Sequence, residues 1–100
     1  MSDFATIVRE EARLIILKAL DEQPNERLSS SVLVEVLAMY GIHKERGWVH
    51  DELAWLADRD AVKLTDAGTV KIAELTDRGK RHVDRHWVIE GVKRPSRSGG

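Results

Sequence analysis

The sequence predicts a mainly α-helical domain with one small β-hairpin near its carboxyl end. Three observations lead to this fold class. Apolar residues recur at helical spacing in three stretches before residue 58, and Gly41 separates the second stretch from the third. After residue 60 the spacing changes to the alternation that is typical of strands. One more helical stretch then follows the hairpin.

The bulk composition is that of a folded domain. The chain has 100 residues, which is enough for a single modest core. Hydrophobic residues make up 42% and charged residues 33%, a mixture typical of globular rather than disordered chains. There is no cysteine, which excludes disulfides and thiolate metal sites and agrees with a reducing cytoplasmic setting. Acidic residues interrupt the amino-terminal segment, so we expect neither a signal peptide nor a membrane span there.

The first predicted helix runs from Asp3 to about Glu22. Ser2 or Asp3 can cap it, and Pro24 stops it. One broad apolar face comprises Ala5, Val8, Ala12, Ile15, Ile16, Ala19 and Leu20. A second apolar stripe comprises Ile7, Leu14 and Leu17. A helix that is apolar on two sides has two neighbours, and the second neighbour is either another subunit or the last helix of the same chain.

The next two helices form a tight corner. The second helix is capped by Ser29 or Ser30 and ends at Gly41, which adopts a left-handed conformation more readily than residues with a β-carbon. Its apolar positions are Val32, Leu33, Val36, Leu37 and Tyr40. The third helix lies within "KERGWVHDELAWLADRD", residues 44–60. The short "GIHK" between them indicates a helix-turn-helix.

The carboxyl-terminal third contains the hairpin and a last helix. "AVKLT" and "TVKIAEL" alternate, with Val70, Ile72 and Leu75 as the apolar positions of the second strand, and "DAG" between them is a turn signal. Thr76 caps the last helix, which we expect to continue into "WVIEGV". The domain is predicted to cover residues 1–92, and residues 93–100 are predicted to be a flexible basic tail.

This order of elements is that of a winged helix-turn-helix. "LADRDAVKLTDAGTVKIAELTDRGKR" resembles the wing and its exit in bacterial regulators of the ArsR and MarR kind, with Leu75, Thr76 and Gly79 in an L-T-x-x-G pattern. The chain as a whole, including "WVHDELAWLADRDAV" and "GVKRP", is similar to small uncharacterised winged-helix proteins of Mu-like phages and prophages. The resemblance implies a DNA-binding transcriptional regulator, or a phage-encoded DNA-binding accessory, in the cytoplasm of a bacterial host.

Charge limits where double-stranded DNA can be contacted. Residues 1–75 hold nine Lys and Arg against fourteen Asp and Glu, whereas residues 76–100 hold seven against three. The outer face of the third helix carries Asp51 and Asp58, which repel phosphate, and the wing tip "TDAGT" has no basic residue. The predicted DNA-binding residues are therefore Lys44, Arg46 and His50 at the start of the third helix, with Arg78, Lys80, Arg81 and Arg94 farther on.

The same helix also suggests a function of a different class. Trp48 and Trp55 lie seven residues apart on one flank. They are either peripheral core, covered by the first helix or the wing, or binding hot spots for another protein. The alternative function is a non-enzymatic adaptor that binds a phage or host protein during phage assembly or regulation.

A homodimer is predicted from two apolar segments. The second stripe of the first helix and "WVIEGV" would together expose an unusually large apolar area in so small a domain. The predicted interface comprises Ile7, Leu14, Leu17, Trp87, Val88 and Ile89. The competing arrangement is intramolecular, with the carboxyl-terminal residues folded over the first helix.

No residue pattern indicates catalysis. The chain lacks a cysteine nucleophile, a glycine-rich phosphate loop and an HExxH motif, so we predict no enzyme activity and no cofactor. His82 and His86 are four residues apart, a spacing that can chelate Zn²⁺, but further ligands at set positions are missing. We therefore predict no metal site.

Overall fold

Four helices and a three-stranded sheet make up the computed structural model, which describes residues 3–96. The elements are α1 Phe4–Asp21, β1 Arg27–Ser29, α2 Ser30–Met39, α3 Arg46–Asp58, β2 Val62–Ala67, β3 Val70–Leu75 and α4 Asp77–Val83. This order confirms the predicted winged helix. Within residues 3–96, no helix is both long and apolar enough to cross a membrane.

The sheet is antiparallel, with β3 between β1 and β2. Gly68 and Thr69 close the β2–β3 hairpin between the paired residues Ala67 and Val70, and Gly68 has a φ of 66°. The core-facing residues of β3 are Ala73 and Leu75. Because side chains alternate along a strand, Val70 and Ile72 point to the opposite face, where they are half-buried. Of the three predicted apolar positions of this strand, Leu75 therefore faces the core, and Val70 and Ile72 lie on the other face of the sheet.

Short polar side chains begin the first two long helices, as the sequence predicts. The Asp3 carboxylate accepts a hydrogen bond from the Thr6 amide at 2.8 Å, and this bond lowers the pKa of Asp3. The Ser29 hydroxyl accepts from the Val32 amide at 3.2 Å. Each bond satisfies an amide that has no partner within its helix.

Gly41 ends α2 with a φ of 84°. The amides of Gly41 and Ile42 then donate to the carbonyls of Ala38 and Leu37. This pair of bonds is the Schellman motif, which turns the chain sharply at the end of a helix. The sharp turn brings α3 close behind α2, as the helix-turn-helix prediction requires.

Most of both apolar stripes of α1 is buried within one chain, although Ile7 of the second stripe is 52% exposed. Leu14 is 6% exposed, and Leu17 is fully buried in the same core as Ile16 and Leu20. The core also includes Ile89 and Val92 from the carboxyl-terminal segment. Of the two arrangements left open by the sequence, burial within one chain therefore accounts for Leu14 and Leu17 of the second stripe but not for Ile7.

The last helix is shorter than predicted. It ends at Val83, and Arg85 has a φ of 65°, so the chain leaves the helix before Trp87. Residues 84–96, here called the C-terminal strap, instead run back over α1. The Lys93 amide donates to the Glu10 carbonyl at 3.2 Å, and Pro95 is buried. Lys93 and Pro95 of the predicted flexible tail are therefore packed, while residues 97–100 of that tail lie outside the described residues, and the domain boundary at residue 92 stays a prediction.

A buried histidine holds the C-terminal strap. The ring of His82, 1% exposed, accepts a hydrogen bond at Nδ1 from the Ile89 amide at 3.0 Å. Its Nε2 donates to the Lys93 carbonyl at 2.9 Å. These partners require the neutral tautomer with the proton on Nε2. Both ring nitrogens are therefore engaged, which leaves neither for a metal shared with the exposed His86.

The L-T-x-x-G pattern fastens α4 to the end of α3. The Thr76 hydroxyl accepts from the Gly79 amide at 3.1 Å and donates to the Asp60 carbonyl at 2.6 Å. A β-carbon on Gly79 would lie 2.3 Å from the Ala61 carbonyl oxygen and 2.7 Å from Leu75. Only glycine permits α4 to lie this close to Ala61 and Leu75, so close packing explains the glycine of the L-T-x-x-G pattern.

Arg13 joins three parts of the chain. It is 8% exposed, and its Nε donates to Glu52 of α3 at 2.7 Å. Its Nη1 donates to the Gly91 carbonyl of the C-terminal strap at 2.8 Å. Its guanidinium also stacks on the Trp55 ring, 3.7 Å from the ring centroid. The buried charge is thus paired and hydrogen-bonded, as burial requires.

We predict that Gly79→Ala destabilises the fold by about 1–3 kcal/mol, because the added methyl group overlaps a backbone oxygen that cannot move freely. Urea denaturation measures the change. The matched control is Gly47→Ala in α3, where a β-carbon meets nothing within 4 Å and alanine favours the helix. Equal stability of the two variants would contradict the packing role of Gly79.

We also predict that Glu52→Gln lowers the free energy of unfolding by about 3 kcal/mol, because it leaves the Arg13 charge buried without its counter-ion. Thermal denaturation followed by circular dichroism measures the effect. Glu35→Gln changes an exposed residue of α2 in the same way and is expected to be neutral. A change for Glu52→Gln no larger than that of this control would show that the pair contributes little.

Candidate nucleic-acid interface

The start of α3 presents two exposed basic side chains. Lys44 lies in the turn before the helix, with its Nζ 5.3 Å from the centroid of the Trp48 ring. Arg46 is the first residue of the helix. Residues at the amino-terminal end of such a helix are the ones that approach base edges and phosphates in DNA-binding helix-turn-helix proteins. The structure therefore places Lys44 and Arg46 together, where phosphate contacts are expected.

A buried hydroxyl joins α3 to α2 and the wing. The Ser30 side chain is fully buried, lies 2.8 Å from His50 Nε2 and accepts a hydrogen bond from the Lys71 amide at 3.0 Å. Burial lowers the pKa of His50, and the charges of Lys71 and Arg46 lower it further. The lowered pKa favours the neutral form of the ring, and the contact with Ser30 holds α3 against α2.

The remaining outer face of α3 is acidic, as predicted. Asp51 and Asp58 are exposed, and they share this face with the exposed Gly47 and Ala54. On the wing, Lys71 Nζ pairs with Asp66 at 2.7 Å, and this contact lowers the pKa of Asp66. The wing therefore carries one internally neutralised pair, and the exposed Lys63 lies on the other face of the hairpin, where it is paired in register with Glu74. Positive charge on this side of the molecule is concentrated at the start of α3.

The other predicted DNA-binding residues lie elsewhere. Because Thr76 bonds to Asp60, α4 begins where α3 ends, and Arg78, Lys80 and Arg81 lie at that end. Lys80 Nζ pairs with Asp21 at 2.7 Å, a bond that raises the pKa of Lys80, and with Asp84 at 3.6 Å. Arg94 is exposed on the C-terminal strap. The seven residues thus form two groups at opposite ends of α3.

The two tryptophans of α3 have different surroundings. Trp55 is stacked between Arg13 and Arg59, whose guanidinium carbons lie 3.7 and 3.8 Å from the ring centroid. The C-terminal strap also packs on it, since a β-carbon on Gly91 would lie 2.5 Å from the ring. Trp48 is half-buried beside Lys44. A role of either ring in binding another protein stays a prediction.

The fold buries one part of the predicted dimer interface and leaves the other part accessible. Leu14, Leu17 and Ile89 are core residues of the single chain, so that part of the proposed surface was wrong. The physical reason is the early end of α4, which lets the C-terminal strap fold over α1. Three members of the set remain accessible, namely Ile7, Trp87 and Val88.

The sequence missed an apolar stripe on α2. Val32, Met39 and Tyr40 are exposed, Met39 by 81% and Tyr40 by 65%, although Val32 and Tyr40 are among the predicted apolar positions of this helix. They recur at helical spacing with Val36, beside a depression of about 220 Å³ between α1 and α2. Because α2 is apolar nearly all round, its pattern could not tell the buried face from the exposed one.

Ser30, Lys71 and Arg13 are further residues that the sequence did not assign to the interface or its support. For Arg13 a signal exists, since it is a charge near the start of the apolar run "ARLIILKAL", where a buried side chain is expected. No comparable signal marks the Ser30 junction, because its three members are far apart in the chain and meet only in the fold.

Comparison with known proteins supports both resemblances seen in the sequence. The uncharacterised protein gp26 of Escherichia phage Mu is 33% identical over 89 residues, which are 89% of this chain and 92% of gp26. Among solved structures, the MarR family transcriptional regulator Sco3205 from Streptomyces coelicolor, in complex with DNA, is similar with a TM-score of 0.62 and 22% identity. That match covers 81% of this chain and 52% of the regulator, so the chain spans about half of the regulator's length.

No known protein-family profile matches the chain. The likeness to the regulator shows the shared winged-helix fold. The identity to gp26 extends over nearly the full length of both proteins. The chain therefore belongs to the family of the Mu phage protein gp26.

Proposed function

We propose that this protein is a winged-helix DNA-binding protein that binds duplex DNA through the start of α3 and the adjacent wing. It acts as a transcriptional regulator or as a phage-encoded DNA-binding accessory in the cytoplasm of a bacterial host. The observation that carries the proposal is the placement of Lys44 and Arg46, exposed at the start of a helix that Ser30 and His50 orient. The presence of DNA in the structure of the MarR family neighbour supports it.

The charges of the interface determine how such binding works. Lys44 and Arg46 can each neutralise a phosphate, and Arg46 can also offer paired donors to guanine. Asp51 cannot approach phosphate, but its carboxylate can accept a hydrogen bond from the amino group of cytosine. Few phosphate contacts give weak sequence-independent binding, so most of the affinity has to come from contacts to bases and from shape.

We predict that Arg46→Ala weakens binding to mixed-sequence duplex DNA and flattens the plot of log affinity against log salt by about 0.9, the value for one lost phosphate contact. Fluorescence anisotropy across a salt series measures both quantities. Lys18→Ala is the matched control, since it removes one exposed charge from α1 rather than from α3. No binding by the unaltered protein at about 20 mM salt, or equal slopes for the two variants, would refute the proposal.

Homodimerisation stays a prediction and now depends on Ile7, Trp87 and Val88. Burial of each is worth roughly 1.5–3 kcal/mol before the cost of association, so we expect only weak pairing. Sedimentation velocity at about ten to a hundred micromolar, the range of weak dimers, measures it. We expect the mean mass to rise with concentration, and Ile7→Lys to abolish the rise. A monomer mass throughout would rule out this interface.

A further inference from the structure

We propose that Trp87 and the arginines around it form a second nucleic-acid site, which takes a single-stranded segment with an unpaired base stacked on the indole ring. We call this site the α4 patch and define it as Arg78, Arg81, Trp87 and Arg94, with Asp60 and Asp77 beside them. The inference goes beyond the proposed duplex binding and does not depend on it.

Trp87 is the accessible tryptophan of the chain. It is 47% exposed, whereas Trp48 and Trp55 are half-buried against their neighbours. The residue lines two depressions. One, of about 470 Å³, is also lined by Asp60, Asp77, Arg78, Lys80 and Arg81. The other, of about 80 Å³, is also lined by His82, Arg85, Val88, Arg94 and Pro95. A flat aromatic ring in concave, arginine-lined surroundings is the usual platform for an unpaired base.

The arginines of the patch keep their charge available. Among residues 3–96, Arg78, Arg81 and Arg94 form no ion pair, although Lys80 beside them is paired with Asp21 and Asp84. The guanidinium carbon of Arg78 lies 5.3 Å from the centroid of the Trp87 ring. A guanidinium offers paired donors that match a phosphate, so the backbone next to a stacked base has a charged partner within reach.

The acidic residues explain why the ligand is a single strand. Asp60 and Asp77 line the larger depression and repel the two phosphate rows of a duplex. Their carboxylates can accept hydrogen bonds from base amino groups, and an unpaired base has both amino hydrogens free whereas pairing uses one of them. Together with the exposed ring, they favour unpaired bases over duplex DNA.

The α4 patch is separated from the start of α3. α3 runs for 13 residues from Arg46 to Asp58, which at about 1.5 Å per residue places its ends about 18 Å apart. The bond from Thr76 to the Asp60 carbonyl fixes α4 at the far end. A duplex at the start of α3 therefore leaves the patch free, so the two nucleic acids can bind together.

The test is a titration of a labelled, unstructured DNA strand of about 12 nucleotides, within the range that such sites cover, with unaltered protein and variants. Fluorescence anisotropy gives the affinity, and quenching of tryptophan emission reports stacking. Protein is kept below about 1 µM, where weak self-association through Trp87 does not compete. We expect Trp87→Ala to weaken binding roughly tenfold and to abolish most of the quenching, and Trp87→Phe to restore most of the affinity.

Further variants test whether charge contributes to single-strand binding and whether the two nucleic-acid sites act independently. We expect Arg81→Ala to flatten the salt dependence of single-strand binding by about 0.7, while Lys18→Ala leaves it unchanged. Arg46→Ala should not alter single-strand binding, and Trp87→Ala should not alter duplex binding, so each proposal can fail alone. The α4 patch is refuted if the unaltered protein does not bind the strand at about 20 mM salt, or if folded Trp87→Ala binds it as well as unaltered protein does.

Discussion

The buried guanidinium of Arg13 holds the parts of this fold together. α1 provides it, α3 neutralises it through Glu52, and the C-terminal strap accepts its second donor at Gly91. Removing a charge from water costs several kcal/mol unless its partners are well placed, so the three segments must meet in one arrangement. Stacking on Trp55 completes the enclosure. The orientation of α3 relative to α1 is thereby tied to the path of the last residues of the chain.

The path of the C-terminal strap also determines which side chains lie at the surface. Since Leu14 and Leu17 lie in the core of the single chain, α1 presents no continuous apolar face to a second copy. The C-terminal strap brings Trp87 and Arg94 to the surface near α4. The bond between Thr76 and Asp60 places this group at the end of α3 opposite Lys44 and Arg46. One small domain therefore carries two separate basic regions.

Sequence patterns predicted the order of helices and strands because the ends of these elements depend on residues close together in the chain. Asp3 and Ser29 cap helices, Gly41 ends one, and Thr76 with Gly79 marks the exit of the wing. The end of α4 could not be predicted, since it depends on Arg85 in a left-handed conformation and on two backbone partners of His82. The predicted basic residues of the interface were selected by charge alone. Their division into two groups required the tertiary contact between α3 and α4.

The acidic outer face of α3 has a consequence for a DNA-binding protein inside a cell. A chromosome offers about a million or more competing sites, and a protein with a strongly basic groove helix spends most of its time on them. Asp51 and Asp58 oppose such indiscriminate contact at all sequences alike. A duplex-binding protein with this helix would therefore bind little to non-specific DNA, and most of its molecules would be unbound. The fraction of its specific sites that are occupied would then depend directly on the concentration of the protein, because non-specific DNA holds little of it.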